Sequence, residues 1–441
     1  MESDREPKFE LVVEQGEKVL VPPSEETEKG LYFLSSFDRM FFGDPECDIK
    51  MARTIYSFKS EDKGNEKAIE IIKNALSKVL VHYYPLAGRL TMIPDGKLMV
   101  DCTGEGALFV EADANCSIED IGDCTIPDPK TLRKLVYDTS NAKSMLELPL
   151  LMAQVTKFKC GGFVLGLCLN HCIADGIGAT DFVNSWGETA RGVPLTIPPF
   201  LDRTIFKSRN PALETQFPHR AYDEIEEKSG TSNLFEQEIL FRSFCFDPEK
   251  LKNLKSKAME DGVITSCTTF EALSAFVWRA RTRALNVIRH DQEMRLWFPV
   301  NSRFRFNQIT PRGYFGNAMV RSCSICCAGE LVENPLSFAV RLVKEAIKLV
   351  TLDYLRSAID YLDVPRGQPP LTTTLLIAVW HRLPFHTTDF GWGKPMLFCP
   401  VFLPPKEMIM FLPYGREGKS INVLVGLPAP AMESFQELMQ L

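Results

Sequence analysis

The sequence lacks the excess of basic residues that proteins binding nucleic acid or anionic membranes need. Its 441 residues include 50 lysines and arginines against 57 aspartates and glutamates, which gives a net charge of −7 and a pI of about 5.6. Contacts to phosphate groups are made largely by cationic side chains. The charge balance therefore argues against a general nucleic-acid or membrane-surface binder.

Long apolar runs are also missing. No stretch approaches the roughly 20 apolar residues that a membrane-spanning helix requires. The start, MESDREPKFE, is charged and shows no apolar core of a secretory signal peptide. The 13 cysteines form an odd number without framework spacing, and most lie inside apolar runs. We therefore expect reduced core thiols in a cytoplasmic protein without membrane insertion.

Several catalytic signatures are absent. The chain has no GxGxxG or GxxxxGK[ST] loop for nucleotide phosphates and no GxSxG nucleophile elbow. Without a plausible serine or cysteine nucleophile, a direct, base-assisted transfer is favoured over a covalent enzyme intermediate. The pair Cys323 and Cys326 has the spacing of half a redox or metal site. It lies in an alternating apolar run with no second pair, so we interpret it as part of a strand.

The residues that are present indicate an α/β protein with a large core. Hydrophobic residues make up 45% of the chain, and each half mixes strand patterns with long helical ones. A helix is predicted over 65–83, a hairpin over 151–170, and a second helix over 335–350. Thr268 and Glu271 form a capping box that opens another helix. The proline-rich segment 192–235, which includes the acidic run 223–228, is predicted to be an interdomain crossover.

The most informative stretch is 161–178, GGFVLGLCLNHCIADGIG. An apolar run of strand length ends at His171, and a glycine-rich turn containing Asp175 leads into a predicted helix. Imidazole has the pKa closest to neutral pH, so His171 is a candidate general base. The alternatives are a core histidine that only packs, or a zinc ligand. The segment opens as a strand rather than a helix, and no third ligand is evident, which disfavours zinc.

A second unusual stretch is 388–395, TDFGWGKP. Two glycines and an acid surround two aromatic residues. This composition is typical of a tight structural loop, because glycine adopts strained φ angles and the rings act as wedges. We predict an architectural role for it rather than a catalytic one.

Taken together, these two stretches resemble the signatures of the BAHD family of plant acyl-CoA-dependent acyltransferases, HxxxD and DFGWG. The segments LSSFD, YPLAGRL, NSRFR and YFGN extend the resemblance along the chain. Within the family, the chain is most similar to the hydroxycinnamoyl (feruloyl or caffeoyl) transferases that act on ω-hydroxy fatty acids and fatty alcohols in suberin and wax synthesis. The segments KCGGFVLGLCLNHC and FHTTDFGWG, among others, carry this similarity.

The resemblance implies a soluble monomer with two chloramphenicol-acetyltransferase-like lobes. Each lobe has a mixed sheet with flanking helices, and an active-site channel runs between them. The N-terminal lobe would span 1–195, with 381–401 crossing back to it. A crossover loop would span 196–236, and the C-terminal lobe 237–441.

The resemblance also implies residue roles. His171 would be the general base, and Trp380 the donor to the oxyanion. Asp175 would be structural and would pair with Arg303. The second signature would hold the lobes and the CoA entrance in shape through Asp389, Phe390, Gly391, Trp392 and Gly393. We further expect Lys255 and Ser256, near a predicted helix start, to contact the CoA phosphates.

The implied reaction moves a hydroxycinnamoyl group from its CoA thioester to an alcohol, without a metal or another cofactor. Relatives that use shikimate or quinate have a threonine where this chain has Ala378, beside Val379. The loss of that hydroxyl makes the acceptor side more apolar and favours an aliphatic acceptor. The same chemistry on an amine, terpenoid or phenolic alcohol, or a catalytically silent binding relative, remains an alternative.

Overall fold

The computed structural model describes residues 10–43, 50–60, 64–122, 125–137, 141–210, 217–222, 236–287, 289–306, 309–364, 373–415 and 418–440. It divides into two compact units. The first comprises Met1–Lys207, Asn307–Ala318 and Leu383–Phe402, and the second comprises Ser208–Phe306, Met319–Arg382 and Leu403–Leu441. Residues 307–318, which the predicted boundaries leave in the second lobe, thus belong to the first unit. The acidic run 223–228 lies outside the described residues.

The strands are named in chain order. They are β1 (Val13–Val21), β2 (Leu31–Phe33), β3 (Met51–Phe58), β4 (Arg89–Met92), β5 (Leu98–Asp101), β6 (Ala107–Ala114), β7 (Leu151–Lys157), β8 (Phe163–Asn170), β9 (Ile239–Phe246), β10 (Glu293–Asn301), β11 (Met319–Cys327), β12 (Thr374–Val379), β13 (Leu397–Pro400), β14 (Met408–Tyr414) and β15 (Ser420–Pro428).

The α-helices follow the same order. They are α1 (Ser36–Arg39), α2 (Ala68–His82), α3 (Pro129–Leu132), α4 (Gly176–Ala190), α5 (Pro248–Ala258), α6 (Thr269–Ala284), α7 (Ser302–Arg305), α8 (Ala328–Glu333), α9 (Leu336–Leu349), α10 (Leu352–Asp363) and α11 (Ala429–Leu438).

The first unit is built on a mixed sheet with the strand order β1-β6-β7-β8-β3-β13. Strands β6 and β7 are parallel, whereas β7 and β8 form the predicted antiparallel hairpin. A smaller sheet has the order β2-β5-β4. Strand β8 lies between β7 and β3, and all eight of its residues are buried. This explains its unbroken apolar run, because an interior strand covered on both faces has no solvent side to make polar.

The second unit is built on a mixed sheet with the order β11-β10-β12-β14-β15-β9. Strand β12 is parallel to both β10 and β14. The predicted capping box opens α6: the Thr268 hydroxyl accepts from the Glu271 N–H at 3.2 Å, and the Glu271 carboxylate accepts from the Thr268 N–H at 2.8 Å. Helices α6 and α9 contribute to one apolar cluster with the sheet. The predicted α/β class, with two mixed-sheet lobes, is confirmed.

The segment 388–395 is a tight loop held by its own aspartate. Oδ1 of Asp389 accepts hydrogen bonds from the N–H groups of Gly391 and Gly393, at 2.7 and 3.0 Å. Both glycines have positive φ, 102° and 81°, a conformation that other residues rarely adopt. Trp392 donates from Nε1 to the carbonyl of Gly64 at 2.7 Å. The loop thus fastens a late segment of the chain to an early one within the first unit.

Among the described residues, no helix combines the length and the apolar character needed to span a bilayer.

Gly166 in the middle of β8 allows a close backbone approach, and this predicts that it cannot be replaced. A Cβ atom at this position would lie 1.8 Å from the carbonyl oxygen of Leu135. We expect Gly166→Ala to lower the free energy of unfolding by about 1–3 kcal/mol, because the backbone has to shift to relieve the overlap. Urea denaturation measures this. Gly16→Ala in β1 is the matched control, since its Cβ would meet no atom closer than the carbonyl oxygen of Glu111 at 3.4 Å. Equal effects of the two substitutions would contradict the prediction.

Candidate functional site

His171 directly follows the last residue of β8 and continues its hydrogen bonding. Its N–H donates to the carbonyl of Lys50 at 2.9 Å, and the N–H of Asn170 donates to that of Leu150 at 2.9 Å. The end of β8 is thus hydrogen-bonded to the residues that precede β3 on one side and β7 on the other. This places the imidazole on a rigid element rather than in a free loop.

Asn170 and Asp175 bound the turn that carries His171. The Asn170 side-chain oxygen accepts from the N–H of Cys172 at 2.9 Å. Asp175 is the N-cap of α4: one carboxylate oxygen accepts from the N–H of Gly178 at 3.0 Å, and the other from the N–H of Ala318 at 3.0 Å. A capping carboxylate suits the helix N-terminus, where unpaired N–H groups and a positive partial charge meet. Asp175 therefore has a structural role in this turn.

The His171 ring lies flat against the ring of Phe41, which follows α1. The ring centroids are 3.8 Å apart and the planes differ by 15°. Nδ1 of His171 is buried and makes no hydrogen bond to the described residues, and the same holds for Oδ1 of Asn317. Nε2 does not belong to this group of buried atoms without partners.

The surroundings of His171 act on its pKa in opposite directions. Burial lowers the pKa of the imidazole below its usual 6.5. Its own backbone carbonyl, the charge of Asp175, the Asn317 side chain and the charge of Asp38 oppose this in part. The net effect is a lowered pKa, because removing a cation from water costs more than these groups return. The ring is thus neutral, with a free lone pair, at neutral pH.

Asp38 and Asn317 connect the turn to a buried hydrogen-bond network. Asn317 donates from Nδ2 to the His171 carbonyl at 2.8 Å and to Oδ1 of Asp38 at 2.9 Å, and its N–H donates to the same oxygen at 3.0 Å. Oδ2 of Asp38 accepts from the N–H and hydroxyl of Ser35, at 2.9 and 2.7 Å. Asp38 lies in LSSFD and Asn317 lies in YFGN, two segments of the family resemblance. No role was predicted for either residue.

Arg203 completes this network. Its guanidinium pairs with Asp38 at 3.0 Å, and both side chains are 0% exposed. It donates to the carbonyls of Cys172 and Ile173 and to the Tyr32 hydroxyl. Burial alone would lower the pKa of Arg203, but Asp38 and Tyr32 raise it overall, so the guanidinium stays charged. No local pattern in the sequence points to Arg203, because it lies in the proline-rich stretch that is predicted to be a crossover.

The candidate residues of the second unit lie at the ends of β12 and β10. Ala378 and Val379 end β12, and Trp380 follows them, with its N–H donating to the carbonyl of Phe411 at 2.9 Å. Arg303 is a mostly buried residue of α7. The Asp175–Arg303 pair and the oxyanion role of Trp380 stay predictions.

Lys255 and Ser256 differ from the prediction in position. They lie in the last turn of α5, not near a helix start. A helix C-terminus presents free carbonyl groups and therefore attracts cations rather than phosphates. Their contact with CoA stays a prediction.

The pair Cys323 and Cys326 lies in β11, as the alternating pattern predicted. Burial raises the pKa of both thiols to about 12, which disfavours the thiolate that redox and metal chemistry require. Within the described part of the chain, no group of three His, Cys, Asp or Glu side chains is placed to hold a metal ion.

The stack of Phe41 on His171 predicts a shift in the titration of the imidazole. Phe41→Ala removes apolar cover from one ring face, so we expect the pKa of His171 to rise toward 6.5. Aromatic contacts of this kind stabilise by about 0.5–1.5 kcal/mol. Titration of the His171 ring resonances by NMR measures the shift. Phe42→Ala, next in the chain, is the control. An unchanged pKa in Phe41→Ala would show that the phenyl ring does not desolvate the imidazole.

Comparison with known proteins shows the family of this chain. A family model described as the Transferase family matches residues 11–441. The chain is 60% identical over 431 residues to omega-hydroxypalmitate O-feruloyl transferase of Arabidopsis thaliana, covering 97% of this chain and 92% of that protein. It is 50% identical over 436 residues to fatty alcohol:caffeoyl-CoA acyltransferase of the same plant, covering 98% and 99%.

A solved structure shows the same fold. The crystal structure of vinorine synthase superposes with a TM-score of 0.72 at 21% identity, covering 96% of each chain. At that identity, the likeness speaks for the fold alone. The family model and the two plant relatives cover nearly the full chain. The chain therefore belongs to this Transferase family, the BAHD acyltransferases, whose two signatures it carries at 171–175 and 389–393.

Proposed function

We propose that this protein transfers a hydroxycinnamoyl group of the feruloyl type from its CoA thioester to the hydroxyl of an ω-hydroxy fatty acid or fatty alcohol. The observation that carries the proposal is an imidazole whose pKa is lowered by burial, held at the end of a buried strand in a chain that shares 60% identity with a feruloyl transferase. Acyl-CoA is the co-substrate, and the reaction needs no metal.

The proposed reaction proceeds in two steps. His171 removes the proton from the acceptor hydroxyl at Nε2 while the oxygen attacks the thioester carbonyl. The resulting tetrahedral oxyanion accepts a hydrogen bond, for which we propose the indole N–H of Trp380. The carbon–sulfur bond then breaks, and the CoA thiolate takes the proton back from His171. General base catalysis of this kind contributes about 10²–10⁴-fold, and stabilisation of the oxyanion a similar factor.

The imidazole can act as a base only through a nitrogen that does not carry a proton. Nδ1 is buried and has no hydrogen-bond partner among the described residues. We propose that Nδ1 carries the proton and that Nε2 presents its lone pair to the acceptor.

The acceptor side supports an aliphatic alcohol. Ala378 and Val379 offer no hydroxyl at the positions where we propose contact with the acceptor. A polyhydroxylated acceptor would bury hydroxyl groups without partners, at a cost of about 1–3 kcal/mol each. A long-chain alcohol has a single hydroxyl, which is the reacting one. We further propose that the protein is a monomer and that its product contributes to suberin or wax.

Replacement of His171 tests its role as the base. We expect His171→Gln to lower kcat by about 10²–10⁴-fold with feruloyl-CoA and an ω-hydroxy fatty acid, because the lone pair is lost. Ester and free CoA, quantified together, should fall in parallel. In the unmodified enzyme, the rate should fall as the pH drops through the lowered pKa of His171. His82→Gln, an exposed histidine at the end of α2, is the control. CoA release without ester would mean hydrolysis, and a silent relative would release neither.

Substitution of Ala378 tests the acceptor class. Ala378→Thr restores the hydroxyl found in relatives that use polyhydroxylated acceptors, and Ala378→Val adds the same volume without it. The rates with shikimate and with a fatty alcohol are measured at a fixed concentration of feruloyl-CoA. We expect Ala378→Thr, but not Ala378→Val, to raise the ratio of the first rate to the second about ten-fold, because one hydrogen bond to a hydroxyl contributes about that factor. The unmodified enzyme is also assayed with amine, terpenoid and phenolic acceptors. A faster rate with any of these in the unmodified enzyme would replace the fatty acceptor.

A further inference from the structure

We propose that Arg203 is a positioning residue for His171, since its guanidinium fixes the backbone of the turn from which the imidazole projects. This inference rests on the proposed role of His171 as the base. Arg203 need not touch a substrate for this role, because it acts through the main chain.

The contacts of Arg203 are concentrated on the turn. It donates to the carbonyls of Cys172 and Ile173, the two residues that follow His171, and both residues are 0% exposed. Buried carbonyl groups need donors, and no strand or helix supplies them here. Through Asp38 and Asn317, the same network also reaches the carbonyl of His171. Three consecutive carbonyls are thus held by one buried ion pair and its partners.

The remaining contacts of Arg203 hold the guanidinium itself. Nε donates to the Tyr32 hydroxyl at 2.9 Å, and that hydroxyl donates to the carbonyl of Leu201. The guanidinium also lies over the rings of Tyr32 and Phe315, with distances of 5.1 and 5.9 Å to the ring centroids. A planar fork with several N–H donors can serve an acid, two carbonyls and a hydroxyl at once, whereas an ammonium group cannot. The site thus requires arginine and not only a positive charge.

A purely structural ion pair is the alternative. Breaking a buried pair on one side is strongly destabilising, because the other charge is left without a partner, but replacing both partners by uncharged residues is often neutral. A double variant therefore distinguishes the positioning role of Arg203 from a purely structural one. Asp38→Asn with Arg203→Met removes both charges together and also removes the donors to Cys172 and Ile173.

The experiment compares the double variant with both single variants and with Arg203→Lys. It measures Tm, kcat, and KM for feruloyl-CoA, with rates normalised to the folded fraction. Arg203→Lys keeps the charge and the pair with Asp38. Arg295→Lys, at another buried arginine that pairs with Glu293 at 2.9 Å, controls for the general effect of this replacement.

If Arg203 positions the turn, the double variant regains Tm relative to the single variants, but its kcat stays at least about ten-fold below that of the unmodified enzyme. A misplacement of about 1 Å costs up to about 10²-fold in rate. Arg203→Lys loses kcat to a similar extent, and KM for feruloyl-CoA changes little in either variant. Arg295→Lys keeps its kcat.

Recovery of kcat together with Tm in the double variant would overturn the inference and leave a structural ion pair. If the double variant does not fold, Arg203→Lys decides the question, and an unchanged kcat there has the same meaning. His171→Gln, assayed in parallel, separates the two proposals. Full activity of that variant would overturn the proposed function itself, whatever the Arg203 variants show.

Discussion

The position of His171 depends on the register of β8 within its sheet. Asn170 pairs with Met51 of β3, and Leu169 with Leu151 of β7. A slip of one residue would turn every side chain of a strand to the opposite face. In β8 it would also drive Gly166, which tolerates no Cβ, away from the carbonyl of Leu135. The His171 ring therefore takes its place from a strand that is buried along its whole length.

Burial and the surrounding polar groups give this imidazole two properties that the proposed base needs at once. Apolar cover lowers its pKa, so that a lone pair would be present when the acceptor arrives. The acidic and carbonyl groups around it oppose this shift in part, which preserves its ability to hold a proton. In the proposed reaction, the same groups would stabilise the cation that forms when the proton has moved. A purely hydrocarbon pocket would have given a ring that is available but too weakly basic.

Local patterns predicted those parts of the fold that local physics determines. The helical spacing in α2, the β7–β8 hairpin and the capping box of α6 each depend on residues a few positions apart, and all three are confirmed. His171 was predicted as the base in the same way, from an apolar run that ends at a reactive side chain, and this role stays a prediction. Lys255 and Ser256 were placed at the wrong end of a helix, because charge alone does not distinguish the two ends.

The residues that support the base could not be found locally. Asp38 bonds to Asn317 across 279 positions, and Arg203 bonds to Tyr32 across 171. No periodicity or spacing links such residues, and a charged residue in a proline-rich stretch has the composition of a linker. A buried arginine and a buried aspartate become partners only once the sheet and the turn exist. Tertiary structure, not sequence pattern, assigns their roles.

The return of residues 383–402 to the first unit has a consequence for the way the chain matures on the ribosome. Strand β13 pairs with β3 at the edge of the six-stranded sheet of the first unit. Trp392, in the loop 388–395, donates a hydrogen bond to Gly64. Until that late segment has emerged, β3 is an unpaired edge, which is open to association with other chains. The N-terminal unit therefore cannot finish folding first, although domains generally fold in the order of their synthesis. During synthesis, this edge of β3 therefore has no partner until residues 397–400 have emerged.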